Sequence, residues 1–260
     1  MLRDFEKNGY AVVKNMFDPG DDLGSFYKSI ERLAHYIKPE FSPFGSFEKE
    51  VLTDKQKSNF YRALRYLPSI NRLASSEKSL QLCTDLGMEF PVVMNSSNIR
   101  MDAPDGGKFL FHWHQDLTYL LGSLNSVTFW IPLTEVNRHN GSIEVIPGSH
   151  KQGFFPVEYR SQKLLQKNTV MSPSDIFLVE EPKEPGLAIE ANPGDVVVFS
   201  QMLLHRSIPN FSDTVRWAIQ IRYSDVMDQA FYESDYPFGD VTNIFHAKYN
   251  LESKPKLVAV

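Results

Sequence analysis

The sequence predicts a mostly β chain with flanking α-helices, built around a double-stranded β-helix core of the jelly-roll, cupin-like type. Three observations predict it. From Pro91 onward, short runs rich in β-branched and aromatic residues are punctuated by Gly, Pro and Asn turns, the pattern of a sandwich or barrel. Within that class, jelly rolls and cupins enclose a small-molecule cavity. The residues before Pro91 read instead at helical spacing, and a chain of 260 residues can bury a sizeable core as one all-β unit.

Taken in order, Asp21 to Ile37 carries Leu23, Phe26, Ile30, Leu33, Ala34 and Ile37 at helical spacing, and Asp54 to Leu67 and Ser76 to Leu86 are further helices that buttress a sheet. Strands are expected at Val92 to Met94, Lys108 to His112, Val127 to Leu133, Ser142 to Ile146, Val196 to Phe199 and Trp217 to Tyr223. Lys151 to Gly186 departs from strand periodicity and is far longer than an ordinary connection. It mixes Phe154, Phe155, Tyr159 and Phe177 with Lys151, Arg160, Lys163 and Lys167, which suits a lid over an anionic substrate, helped by the segment after Asp225. A short amphipathic helix through Leu164 and Leu165, packed on the sheet, is the plainer alternative.

Composition narrows the function classes. A hydrophobic fraction of 42% with 23% charged residues is ordinary for a soluble protein. With a net charge of −5 and a pI near 5.8, a nucleic-acid partner would need a local basic patch that the balance does not suggest, and that class is set aside. The single cysteine, Cys83, cannot form an internal disulfide and suits a reducing cytoplasm. Arg3, Asp4, Glu6 and Lys7 stand where a signal peptide needs its apolar core, and no run approaches the ~18 apolar residues of a membrane span. A cytoplasmic protein acting on a small molecule, without nucleic-acid or membrane partners, is the expectation.

The chemistry concentrates in His114-Gln115-Asp116 and His205. Two imidazoles and one carboxylate are the ligand set of non-haem Fe(II) oxygenases, holding the metal on one side and leaving about three of six positions open. On a strand, residues i and i+2 share a face, so His114 and Asp116 are expected to project together into the barrel mouth. His112 would too, which leaves open a cupin-type His112-x-His114 metal pair with a different third ligand. The glutamate that pattern wants is absent, with Thr118 and Tyr119 in its place, so His112 is read as a pocket or structural residue. Arg216 follows His205 in the alternating stretch Val215 to Tyr223. Its guanidinium fork suits a bidentate carboxylate, either of a ligand or of the chain, such as Asp225. Arg222 shares its face further along, whereas Arg206 should point away from His205. His35, His139, His150 and His246 lack a second ligand at metal spacing and read as ordinary surface, turn or packed residues.

These motifs occur in an order that resembles the phytanoyl-CoA dioxygenase family of Fe(II)- and 2-oxoglutarate-dependent oxygenases. The matching residues are His114-Gln115-Asp116, Phe129-Trp130-Ile131-Pro132-Leu133, Asn140-Gly141, Ile146-Pro147-Gly148-Ser149-His150, His205-Arg206-Ser207 and Arg216, with Phe5 to Val13 similar to that family's entry into its first strand. The resemblance runs to about Tyr223. It implies that His114, Asp116 and His205 ligate Fe(II), that Arg216 binds the distal carboxylate of 2-oxoglutarate, and that Ser207 and Trp130 line the co-substrate pocket. Arg100 would be a further cation near it. The implied reaction consumes O2 and 2-oxoglutarate, releases succinate and CO2, and hydroxylates an unactivated C–H. Two rivals stay open: a cupin-type isomerase or dioxygenase that does not use 2-oxoglutarate, and a non-catalytic binding homologue. With no linker or repeat in sight, the chain is expected to form a single catalytic domain over 1–260, comprising a helical buttress plus first strand at about 1–90, a jelly-roll core at about 91–225 and a C-terminal segment at 226–260.

Overall fold

The structure is a computed structural model that describes residues 1–48, 51–95, 97–104, 110–118, 120, 122–160, 176–233, 235 and 256–258. It opens with α1 (Leu2–Asn8), closed by Gly9 in the left-handed region at φ 80. Glycine is required there twice over, since a Cβ would also come within 2.4 Å of His150 Nδ1. The strand β1 (Tyr10–Val13) follows. The helix α2 (Gly24–Ile37) buries Phe26, Ile30 and Ala34. It begins later than Asp21 because the Asp18 carboxylate accepts from the Gly20 and Asp21 N–H groups and holds those residues in a turn.

The helix α3 (Asp54–Leu64) starts with a capping box between Thr53 and Gln56. The helix expected to run to Leu67 ends at Leu64, and a further helix that was not expected follows it. Leu67 precedes Pro68 and takes an extended conformation at ψ 126, after which Pro68 opens α4 (Pro68–Ala74). Ser76 caps α5 (Glu77–Asp85).

The remaining elements are β2 (Pro91–Val93), β3 (Asn98–Asp102), β4 (Ser126–Pro132), β5 (Ile143–Val145), β6 (Val157–Arg160), β7 (Ile176–Leu178), β8 (Leu187–Ala188), β9 (Val196–Ser200), β10 (His205–Ser207), β11 (Arg216–Asp225), α6 (Gln229–Glu233) and β12 (Lys256–Val258). An antiparallel sheet runs β1-β9-β4-β11-β2, with β3 also on β11. A second, smaller sheet runs β10-β5-β8. Strand alternation gives the large sheet two characters. Phe129, Ile131, Val196, Val198, Trp217, Ile219, Ile221 and Tyr223 pack against the helices with Phe26, Ile30, Phe60, Leu73 and Leu82. On the opposite face Trp130, Val197, Phe199 and Ala218 meet Ile143 and Val145 of the small sheet. This is the jelly-roll core, and the cluster of His114, Asp116 and His205 and the Arg216 cluster described below lie on that inner face.

Two expectations need correction. Residues 110–112 form no strand, and 105–109 lie outside the described residues. Lys151 to Gly186 does contain strands: β6 pairs antiparallel with β7, joining Val157 to Leu178, and β12 lies parallel on β6. Residues 161–175 of the expected lid lie outside the described residues.

Candidate active site

His114 is not on a strand, as alternation had suggested. It forms an isolated antiparallel bridge with His205, each N–H reaching the other's carbonyl at 3.0 Å. Asp116 then opens a 3-10 turn, Asp116–Thr118, that bends its carboxylate back towards the imidazoles. Gln115 holds the bend. Its fully buried amide donates to Gly153 O at 2.8 Å and Met202 O at 2.7 Å, and accepts from Phe155 N at 2.9 Å. One ligand atom each from His114, Asp116 and His205 lies within 4.8 Å of the others, all three residues being buried.

The surroundings decide which atoms face the centre. His114 Nδ1 lies 2.6 Å from His112 O, and His205 Nδ1 lies 3.0 Å from Leu203 O. A carbonyl can only accept, so each Nδ1 carries a proton, and in the neutral ring that leaves the lone pair on Nε2. Burial pushes the His205 imidazole down to about 3, helped by neighbouring His114, which keeps it neutral. Burial alone would raise the Asp116 carboxyl, but Arg222, with His114 and His205, holds it well below the usual range. Its Oδ2 is occupied by Thr128 Oγ1 at 2.9 Å and Arg222 Nε at 3.0 Å. Oδ1 is left towards the imidazoles, 3.5 Å from His114 Nε2 and 3.6 Å from His205 Nε2. Two neutral nitrogens and one anionic oxygen are a donor set that fits a ferrous ion. The exposed His112 ring is not among the clustered ligand atoms; it stacks on Phe177 at 4.1 Å between centroids and serves the site through its carbonyl.

A second charged cluster occupies the other end of the inner face. Arg216 pairs through Nη2 with Asp102 and donates from Nε to Gly141 O at 2.9 Å. Its Nη1 is buried with no hydrogen-bond partner. Arg100 Nη2 reaches the other Asp102 oxygen at 2.9 Å, so two guanidiniums share one carboxylate. Burial would raise Asp102, and Arg100 with Arg216 brings it below its ordinary value instead. Asp225, the chain carboxylate weighed as a partner for Arg216, instead accepts from the Glu89 and Phe90 N–H groups at 2.9 and 3.0 Å.

The remaining candidates fall around these clusters. Trp130 lies under Arg216, 5.2 Å from Cζ to the ring. Phe111 links the two clusters, carrying Arg100 over its face at 4.5 Å and meeting the His114 ring edge-on at 5.5 Å. Ser207 Oγ accepts from Phe111 N at 3.4 Å. Ser149 Oγ accepts from Leu204 N at 2.9 Å, so the Pro-Gly-Ser turn fixes the residue before His205. His150 packs at Gly9 and takes no part.

Sequence reasoning missed Thr128, Asp102 and Gln115, and treated Arg222 only as a competitor of Arg216. A faint signal existed, because Thr128 lies two residues from Trp130, and Asp102 two from Arg100, on the same strand faces.

A model of the phytanoyl-CoA dioxygenase family matches residues 5–218. The peroxisomal phytanoyl-CoA dioxygenase of Rattus norvegicus is 25% identical over 232 residues, 84% of this chain and 66% of the relative. The chain therefore spans just under two thirds of that relative's length. Among solved structures, EvdO2 from Micromonospora carbonacea var. aurantiaca complexed with 2-oxoglutarate superposes with a TM-score of 0.59 at 16% identity, over 85% of this chain and 88% of that one. The epimerase SnoN in complex with Fe3+, alpha-ketoglutarate and nogalamycin RO gives 0.57 at 17% identity, over 86% and 82%. At these identities the structures establish a shared fold. With the family model covering most of its length, the chain belongs to the phytanoyl-CoA dioxygenase family.

Proposed function

We propose that the protein is an Fe(II)- and 2-oxoglutarate-dependent dioxygenase that hydroxylates an unactivated C–H of a small-molecule substrate, releasing succinate and CO2. The observation that carries this reading is the convergence of two Nε2 lone pairs and one carboxylate oxygen, each fixed by its own neighbours. His114, Asp116 and His205 hold the metal. Bound iron supplies the activation of O2, coupled to oxidative decarboxylation of the co-substrate. The chain's share is to position and to exclude water. Arg216 offers its buried Nη1 to the far carboxylate of 2-oxoglutarate, Asp102 and Arg100 keep that guanidinium in place, and Trp130 and Ser207 flank it. Asp116 supports hydroxylation over halogenation, because a halide would need its coordination place.

We read residues 1–260 as one catalytic domain, a reading supported by a hydrophobic core that the helices share with the large sheet. The cytoplasm is the compartment we favour, on lone Cys83, whose thiol burial pushes up to about 12. Among the described residues no helix is long and apolar enough to cross a membrane.

The test is an anoxic titration of the Fe(II)-loaded protein with 2-oxoglutarate, followed by admission of air. We expect a visible charge-transfer band and then slow succinate release without added substrate. His114→Ala or His205→Ala should abolish both, whereas His112→Ala should retain the band. Loss of the band in His112→Ala as well would favour the cupin-type ligand set.

A further inference from the structure

A cavity of about 590 Å3 adjoins the centre, and neither the metal cluster nor Arg216 lines it. Its volume is that of a site for a small organic ligand. Phe111 and Ser207 form the side nearest the centre: Phe111 touches the His114 ring, and Ser207 lies on β10 beyond His205. One side of the cavity is charged. The buried Glu144 carboxylate takes Arg138 Nη1 at 3.1 Å and Arg206 at 2.6 Å through Nε and 2.5 Å through Nη2. The Arg138 and Arg206 side chains are 65% and 42% exposed, while that of Glu144 is 2% exposed.

Glu144 is therefore sealed beneath its two cations. Gly186 completes the seal, since a Cβ there would come within 2.5 Å of Glu144 Cγ and 2.9 Å of Trp113. Arg206 is further held over the Trp113 ring at 4.6 Å. Two guanidiniums on one inaccessible carboxylate leave a net positive charge on the cavity wall, with most Arg138 donors outside the Glu144 contact. The lining also includes the apolar Phe111, Ile208 and Phe211, and Phe211 is 68% exposed. An exposed aromatic in the same cavity as a carboxylate-anchored cationic pair marks a surface suited to a flat, apolar ligand with an anionic group.

We propose that this cavity is the substrate-recognition site and that it takes an organic anion, a carboxylate, sulfate or phosphate carried on a flat apolar body. Only the word substrate rests on the hydroxylase reading; the selectivity for anions stands on the cavity itself. Arg138 and Arg206 bind the anion, Glu144 orients them, and Phe211 and Ile208 cover the body.

The experiment titrates the full chain, loaded with Fe(II) and saturated with 2-oxoglutarate under anoxia so that the co-substrate site is filled, with 2-naphthoate and with 2-naphthalenemethanol. Calorimetry should show the acid binding at least tenfold tighter than the alcohol. Arg138→Gln, an exposed loop change that circular dichroism can verify as folded, should remove most of that gap and leave the alcohol unaffected. Phe211→Ala should weaken both ligands. Equal affinities in the native protein, or a gap that survives Arg138→Gln, would overturn the proposal. An Arg138-dependent gap in a protein that makes no succinate would sink the hydroxylase reading and keep the anion site. Succinate formation without the gap would do the reverse.

Discussion

The two ends of the inner face of β11 carry the same residue types in opposite balance. At the Arg222 end, one guanidinium meets one carboxylate, Asp116, and Thr128 donates to the same Oδ2. At the Arg216 end, two guanidiniums share Asp102, and Arg216 Nη1 stays buried without an acceptor. Among the described residues the first end is neutral in sum and turns Asp116 Oδ1 towards the two imidazoles, an arrangement suited to a cation. Among the described residues the second is positive in sum and holds a buried donor, Arg216 Nη1, without an acceptor, and leaving such a donor unmade costs about 1–3 kcal/mol. That arrangement suits an anion. On the proposed function, the metal and the carboxylate co-substrate would go to opposite ends of one strand, the first to a carboxylate oxygen and the second to a buried donor.

The most severe way to break this contrast is Asp102→Asn, which removes the only carboxylate recorded between Arg100 and Arg216 among the described residues. Stripping one partner from a buried pair typically costs about 3–5 kcal/mol. Urea unfolding should show a loss of that size; a change below about 1 kcal/mol would mean that solvent already screens the cluster and that its positive excess is nominal.

Arg216→Lys is gentler, because it keeps the charge and removes the planar fork. The dissociation constant for 2-oxoglutarate should rise roughly 30-fold, close to the ~2 kcal/mol of a charge-assisted hydrogen bond, with iron content unchanged. Unaltered co-substrate affinity would move the anchor to another cation, and Arg222 would be examined next.

The smallest expected effect is at the other end. Thr128→Val deletes one donor to Asp116 Oδ2 and leaves Arg222 in place. Fe(II) affinity should fall about tenfold, the lower end of what outer-sphere partners contribute, with the 2-oxoglutarate dissociation constant nearly unmoved. The two variants should therefore show mirror-image patterns. If Thr128→Val shifted both constants equally, the two ends would be one coupled site rather than two.

Much of this was legible in the sequence. The helices were visible as apolar residues at helical spacing, since Phe26, Ile30 and Ala34 repeat the turn of the helix itself. Trp217 to Tyr223 was readable as a strand because its faces alternate. Failures occurred where a local pattern was interrupted or overruled. Asn98–Asp102 was passed over as a strand because Asn98, Arg100 and Asp102 place polar groups on what becomes an interior face. The strands within Lys151 to Gly186 were missed because each is only three or four residues long, and one edge of β6 pairs with β12 far along the chain.

By itself the sequence determined which chemical groups were available and in what order: two histidines, an aspartate and an arginine on a chain whose local periodicities specify helices and strands. Those are properties of neighbouring residues, and steric and hydrophobic patterning writes them locally. Only the tertiary structure decided how the groups pair. Asp116 meets the imidazoles because a buried Gln115 bends the chain, not because of strand alternation. Arg216 meets Asp102 because the register of β11 on β3 sets them opposite one another. Each Nε2 faces the centre because a carbonyl has claimed Nδ1. Register, burial and hydrogen-bond competition arise between segments far apart in the chain, so no window of sequence contains them.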